Sequence, residues 1–242
     1  MRPIAVLPTA ALLALIALPA PAETFTEAEI KQLALDAILE NPQIVMEAAA
    51  ILQERDAARA QAEAQSTMTE NRDLLERDAN APVVGNPDGD VTVVEFFDYN
   101  CPYCKRAGDE VGKLLAEDGQ VRVVYREWPI LGEGSVFAAR AALAAREQDG
   151  YAEMHEALMG ARGRLDESTV LEIAEEVGLD VARLRRDMDA PEVQAHIDTS
   201  MELAQSLGFT GTPSFVIGET LAPGLIDADQ MQDIVKGVRE GG

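Results

Sequence analysis

Cys101-Pro102-Tyr103-Cys104 holds the only two cysteines of a 242-residue chain, and the pair closely follows the apolar run Val91-Thr92-Val93-Val94-Glu95-Phe96-Phe97. A disulfide closing so short a loop removes little entropy from the unfolded chain, so stapling is a poor reason for it. The spacing points to chemistry instead. If Cys101 stands at the start of a helix, unpaired backbone N–H groups and the positive end of the helix dipole stabilise its thiolate, which makes it the nucleophile. Pro102 fits there because first-turn N–H groups have no intrahelical acceptor. Cys104, one turn on, lies on the same face and can attack a mixed disulfide held by Cys101. That division of labour is that of a dithiol exchanger.

Metal binding is the competing use of two thiols. A zinc site needs about four ligands, and beyond the cysteines the chain offers only His155 and His196, neither at finger-like spacing. The context of His155, between Tyr151 and Met159, reads as helix surface or packing. A soft Cu(I) ion could take two thiolates, so transient copper binding stays open, although Met-rich and His-rich tracts are lacking. Glu95 is the other unusual residue. Period-two alternation puts it on the same strand face as Val93 and Phe97, where burial raises a carboxyl pKa. An outward position on an edge strand is the alternative. Buried near Cys104, the carboxyl could relay that thiol's proton.

These residues need a strand and a helix to hold them, and the pattern supplies both. Val91 to Phe97 reads as a buried strand, Cys101 to Glu117 as a helix ended by Gly119, and Val121 to Tyr125 as a second strand, a βαβ unit that favours parallel pairing. From about Ser135 to Leu207 the pattern is helical throughout, with starts at Asp166, Asp180 and Pro191. Ser214 to Ile217 resumes the sheet, Gly218 turns toward Thr220-Leu221, and a last helix runs from Asp227 to about Val238. Ahead of all this, from Thr26 to about Asp78, no glycine and no plausible strand occur. Thr26 with Glu29 fits a capping box, and Asn41-Pro42 separates two amphipathic helices, Asn41 capping the second. After Arg55 the stripe weakens to alanines in a polar helical connector. The apolar faces must be covered by the following domain or by copies of themselves.

The first residues read as an export signal: Arg2, an apolar stretch from Ala10 to Leu18, then Ala20-Pro21-Ala22 as a cleavage site, so that the mature chain begins at Glu23. No later segment approaches roughly 18 uninterrupted apolar residues. The expectation is a periplasmic protein without membrane insertion, in a compartment where a disulfide persists. Loss of Arg2 moves the formal charge from −23 to −24. So acidic a surface repels nucleic acid and anionic lipid and favours solubility.

At Glu95-Phe96-Phe97-Asp98-Tyr99-Asn100-Cys101-Pro102-Tyr103-Cys104, with Gly211-Thr212-Pro213-Ser214-Phe215 much later, the chain resembles the DsbA-like branch of the thioredoxin superfamily from about Ala81 to its end. The resemblance implies an α/β thioredoxin fold with a helical insertion at about 131–207, within a catalytic domain at 79–242. It implies Cys101 as nucleophile, Cys104 as resolving thiol, Glu95 as the buried acid, Pro102 and Tyr103 as the redox motif, and Thr212-Pro213 as a cis-proline loop facing the sulfurs. The cofactor is none beyond a redox-active Cys101–Cys104 disulfide, and no metal is expected. Strongly oxidising members carry His where Tyr103 stands; a neutral ring cannot stabilise the thiolate as a cation does, so a less oxidising protein is expected. The helical region at 23–78, after a signal at 1–22, resembles the extension of the suppressor-of-copper-sensitivity protein C (ScsC) group, some of which trimerise and act as isomerases. Together these imply a homotrimeric disulfide isomerase acting on unfolded or misoxidised exported proteins and served by a membrane thiol reductase or oxidase. A monomeric disulfide-donating oxidase and a copper(I)-binding protein are the alternatives.

Overall fold

The computed structural model describes residues 25–241; the expected signal at 1–22 and mature start at Glu23 lie outside the described residues. The chain divides into two compact units, one ending at Arg55 and one beginning at Asp56. In the first, α1 (Glu27–Glu40) opens on the expected capping box: the Glu29 carboxylate accepts from Thr26 N–H at 2.8 Å, and Glu29 N–H donates to the Thr26 hydroxyl at 3.3 Å. The box satisfies donors that a helix start otherwise leaves free. Asn41 does not cap the next helix as expected. Its backbone and side-chain N–H groups both turn back to the Ala37 carbonyl, at 3.1 and 3.2 Å, so it closes α1, and α2 (Gln43–Glu70) starts after Pro42. Ile30, Leu33 and Ile38 of α1 and Ile44, Val45, Ile51 and Leu52 of α2 stay exposed, so the two helices bury none of that stripe against each other.

The second unit adds α3 (Arg72–Arg77), β1 (Val83–Gly85), β2 (Val91–Phe97), α4 (Pro102–Glu117) and β3 (Val121–Glu127). A helical block follows: α5 (Glu133–Ala144) and a 3₁₀ turn at Ala145–Gln148, then α6 (Tyr151–Gly160), α7 (Glu167–Glu176), α8 (Val181–Asp187) and α9 (Pro191–Ser206). The chain closes with β4 (Ser214–Ile217), β5 (Thr220–Pro223) and α10 (Ala228–Gly241). The sheet order is β1-β3-β2-β4-β5. β2 and β3 pair in parallel through α4, as the βαβ pattern predicts, and the other neighbours are antiparallel.

β2 is therefore central, which is why its residues are apolar on both faces. Val93 and Phe97 join the larger core with Val111 and Leu114 of α4 and Met231 and Val235 of α10. Val94 and Phe96 point the other way, into a core with Met68, Leu75, Trp128, Leu203 and Phe209. The Asp166 and Asp180 side chains cap α7 and α8, each accepting a backbone N–H at 2.9 Å. Arg239, near the end of α10, reaches Asp90 and Asp118 at 2.7 Å each, tying that helix to the start of β2 and the end of α4.

β3 runs two residues beyond the expected Tyr125, through Arg126 and Glu127, both fully buried. Charges at a strand end argue for solvent unless the fold supplies partners, and here it does. Arg126 reaches Asp78 at 2.7 Å and also donates to the Leu74 carbonyl. Glu127 accepts from the Tyr151 hydroxyl at 2.5 Å and stands 2.6 Å from His196 Nε2.

At the start of α5, Gly134 lies so close to the main chain of Leu165 that an added Cβ would overlap the Leu165 carbonyl oxygen. Main chain cannot swing aside as a side-chain tip can. Gly134→Ala is expected to destabilise the fold by about 2–3 kcal/mol, in the range of overpacking. Urea unfolding checks this, and an unchanged midpoint would show that α5 simply shifts.

Candidate active site

Cys101 occupies the N-cap of α4, with φ −82° and ψ 117°, and Pro102 takes the first helical position. Both cysteines are free thiols and both are buried. The environments divide them sharply. The Cys101 thiol is pulled down to about 6, chiefly by its hydrogen bond with Cys104, with help from Thr212 and the backbone N–H groups of Tyr103 and Cys104, against the cost of desolvation. Burial pushes the Cys104 thiol far above the ordinary thiol range, and the field of Glu95 adds to it. At neutral pH Cys101 is the thiolate and Cys104 keeps its proton.

Glu95 sits in mid-sheet, in register with Tyr125 of β3 and Phe215 of β4. It is fully buried, so the edge-strand alternative falls away. Neither carboxyl oxygen has a hydrogen-bond partner, and burial, reinforced by the charge of Cys101, pushes the group up to about 8. Across from α4, the Thr212–Pro213 peptide bond is cis, and the Thr212 carbonyl lies 3.3 Å from Cys101 Sγ. Tyr103 is 56% exposed, with the Arg106 guanidinium 5.9 Å from its ring centroid. Cys101, Cys104 and Thr212-Pro213 thus converge at the start of α4, and the field of Glu95 reaches both thiols.

The residues that hold this arrangement are mostly ones sequence reasoning passed over. Asp98 accepts from Asn100 N–H at 2.7 Å and from Leu131 N–H at 2.9 Å, which shapes the turn into α4. The Asn100 amide makes a two-way bond with the main chain of Leu165, accepting at 2.7 Å and donating at 3.1 Å. Lys105 donates to the carbonyls of Leu158 and Ala161 at 2.8 Å each, where α6 ends. An Asx residue before a helix start was the available signal for the turn; its long-range partners had none. His155 is a packing residue. Its ring stacks on Tyr125 at 4.2 Å between centroids, its Nδ1 lies 3.0 Å from the Tyr99 hydroxyl, and burial pushes its pKa down to about 4.

The buried carboxyl ties stability to pH. Between its ordinary value of 4.5 and about 8, the folded reduced chain holds a proton that the unfolded chain has released. Its contribution is therefore complete below about pH 4.5 and is lost as the pH rises through about 8, a loss of about 3 kcal/mol by pH 7. Glu95→Gln removes that dependence, so the variant should gain on the parent by this amount between pH 4.5 and 7. Urea unfolding of both reduced proteins at several pH values checks it, and parallel curves would mean that Glu95 is ionised in the fold.

Comparison with known proteins agrees with this geometry. The DSBA-like thioredoxin domain family matches residues 92–236, and the copper resistance protein ScsC N-terminal domain matches residues 27–59. A thioredoxin-like oxidoreductase from Silicibacter pomeroyi DSS-3 is 63% identical, covering 71% of this chain and 99% of its own, with a TM-score of 0.70. A linker-deletion mutant of ScsC from Proteus mirabilis is 28% identical and covers 93% of this chain and 100% of its own, with a TM-score of 0.69. Among curated relatives, the Na(+)/H(+) antiporter NhaA 3 of Salinispora tropica is 34% identical over 137 residues, 56% of this chain; the match spans only 21% of the antiporter's length. The thiolate at the start of α4, the cis-proline loop opposite it and the family match over most of the second unit lead to one conclusion: the chain belongs to the DSBA-like thioredoxin domain family of thiol–disulfide oxidoreductases and carries an ScsC-type N-terminal domain.

Proposed function

We propose that the chain is a periplasmic thiol:disulfide exchanger that shuffles wrong disulfides in exported proteins as a homotrimer. The observation that carries the exchange chemistry is the pKa split between Cys101 and Cys104 at the start of α4. The Cys101 thiolate attacks a client disulfide, one client sulfur leaves as thiolate, and a mixed disulfide forms. A second client thiolate can attack the client sulfur of that bond, which returns Cys101 and leaves the client with a new disulfide and no net oxidation. If none arrives, Cys104 attacks Cys101 Sγ, the client leaves reduced, and the Cys101–Cys104 disulfide must be reduced by a membrane thiol reductase. The Thr212-Pro213 loop lines the approach to Cys101.

Glu95 is the proton acceptor for Cys104, and its timing follows from the electrostatics. The charge on Cys101 is one of the two causes that raise Glu95. Forming the mixed disulfide removes that charge, so the carboxyl ionises more readily when Cys104 must lose its proton. Glu95→Gln is therefore expected to slow release of client from the mixed disulfide about tenfold or more, with little effect on its formation. Stopped-flow exchange with a fluorescent disulfide peptide separates the steps; equal release rates would leave Glu95 without a part in proton transfer.

The trimer rests on the exposed apolar stripe of α1 and early α2, a face that needs a partner. The ScsC-type match over residues 27–59 supports the same assignment. The compartment rests on the signal-like first residues. Active sites held together raise the effective concentration of thiol around one misfolded client. A chain beginning at Asp56, which keeps Met68, Leu75 and Asp78 with the second unit, should be monomeric by light scattering, keep dithiol oxidation, and lose most of its rescue of scrambled disulfides. A monomeric parent refutes the trimer, and full isomerase activity in the shortened chain refutes its role.

A further inference from the structure

A groove of about 1320 Å³ runs along α4, with α6 and the turn at 161–164 lining its other side. It extends from Asn100 and Pro102, which flank Cys101 in the chain, to Gly112 and Leu115 near the far end of α4. Two independent features mark it out. The first is charge: Lys105, Arg106, Arg162 and Arg164 line it, against two carboxylates, Asp109 and Glu156. A basic lining is unexpected in a chain of net charge −23. Elsewhere in the second unit Arg72, Arg126, Arg183, Arg185 and Arg239 each stand within ion-pair reach of a carboxylate, whereas, among the described residues, Arg77, Arg122, Arg140, Arg146 and Arg186 do not.

The groove arginines fall in the second set, and the groove gathers three of them on one lining. Among the described residues none of Arg106, Arg162 and Arg164 has a carboxylate within that reach. Glu110, one turn along from Arg106, is taken by Lys113 at 2.8 Å, and Arg164 donates to the Leu131 carbonyl at 3.0 Å. The second feature is the floor. Gly108 and Gly112 lie one turn apart in the interior of α4, where glycine weakens a helix. A Cβ on Gly112 would meet nothing within 4 Å, and one on Gly108 only Met159 Cγ at 4.0 Å. No neighbour in the fold demands either glycine.

We propose that this groove docks an extended, acidic polypeptide segment of the protein whose disulfide Cys101 attacks. The glycines keep the floor low enough for a main chain to lie against α4, and the unpaired guanidiniums meet its carboxylates. The proposal rests on the exchange activity proposed above and adds to it the kind of partner that is held while exchange proceeds.

The test uses the full reduced chain and a cysteine-free, Glu-rich hexapeptide, with binding followed by titration calorimetry. Binding should weaken steeply with added salt, since screened contacts fade as the Debye length shrinks from about 10 Å at 0.1 M to about 3 Å at 1 M. The double variant Arg106→Ser/Arg162→Ser should weaken it about tenfold, the scale of two partly exposed ion pairs. Gly112→Leu, which fills the floor without changing charge and suits a helix better than glycine, should weaken it comparably. Disulfide exchange with a neutral peptide should be unchanged in all variants. Equal binding by parent and variants, equally tight binding of a Lys-rich peptide, or full competition by inorganic phosphate at matched ionic strength would each overturn the groove. Absence of neutral-peptide exchange in the parent would instead overturn the exchange activity, leaving the binding result to be judged separately.

Discussion

Two negative charges competing for one dry site set the terms for everything around them. The Cys101 thiolate is stabilised from the open end of α4, while Glu95 lies in mid-sheet with neither oxygen bonded. Both cannot be charged without cost, because buried like charges repel strongly and water cannot screen them. The fold resolves the conflict by giving the donors to the sulfur and none to the carboxyl. In the proposed cycle proton and charge move in opposite senses: a charged Cys101 adds to the burial that keeps Glu95 neutral, and a bonded Cys101 lets the carboxyl ionise more readily.

The site also needs a frame, and buried polar groups stand in it at the end of β3. Burial alone would push Glu127 up, but the facing His196 and the Tyr151 hydroxyl outweigh it and hold the carboxyl below its usual value. Arg126 anchors the last turns before β1 through Asp78 and the Leu74 carbonyl. Groups of this sort destabilise a core when left single and are held in it by such partners. They sit at the end of β3, directly behind the turn where Trp128 N–H donates to the Phe97 carbonyl at 2.8 Å.

Most of what depends on local pattern is legible in the sequence, the cap expected of Asn41 being the exception. Val91 to Phe97, Ser214 to Ile217 and the caps at Thr26, Asp166 and Asp180 are local, and the structure places them as expected. The βαβ handoff and the burial of Glu95 follow from periodicity. What stayed hidden depends on residues far apart in the chain. The extension of β3 through Arg126 and Glu127 required knowing that Asp78, Tyr151 and His196 would arrive beside them. The groove along α4 was equally illegible, because a helix glycine reads as a weakness until the space above it is seen.

The attachment of the catalytic helix to the helical block is blind to side-chain identity at the receiving end. Asn100 bonds the main chain of Leu165, and Lys105 bonds the main-chain carbonyls of Leu158 and Ala161. Any residue but proline would supply the same main-chain groups, three carbonyls and the Leu165 N–H, while the buried Leu158 and Leu165 side chains answer to the core. The grip on the nucleophile's helix is therefore set by the path of the block's main chain and not by the polar side chains that the block carries.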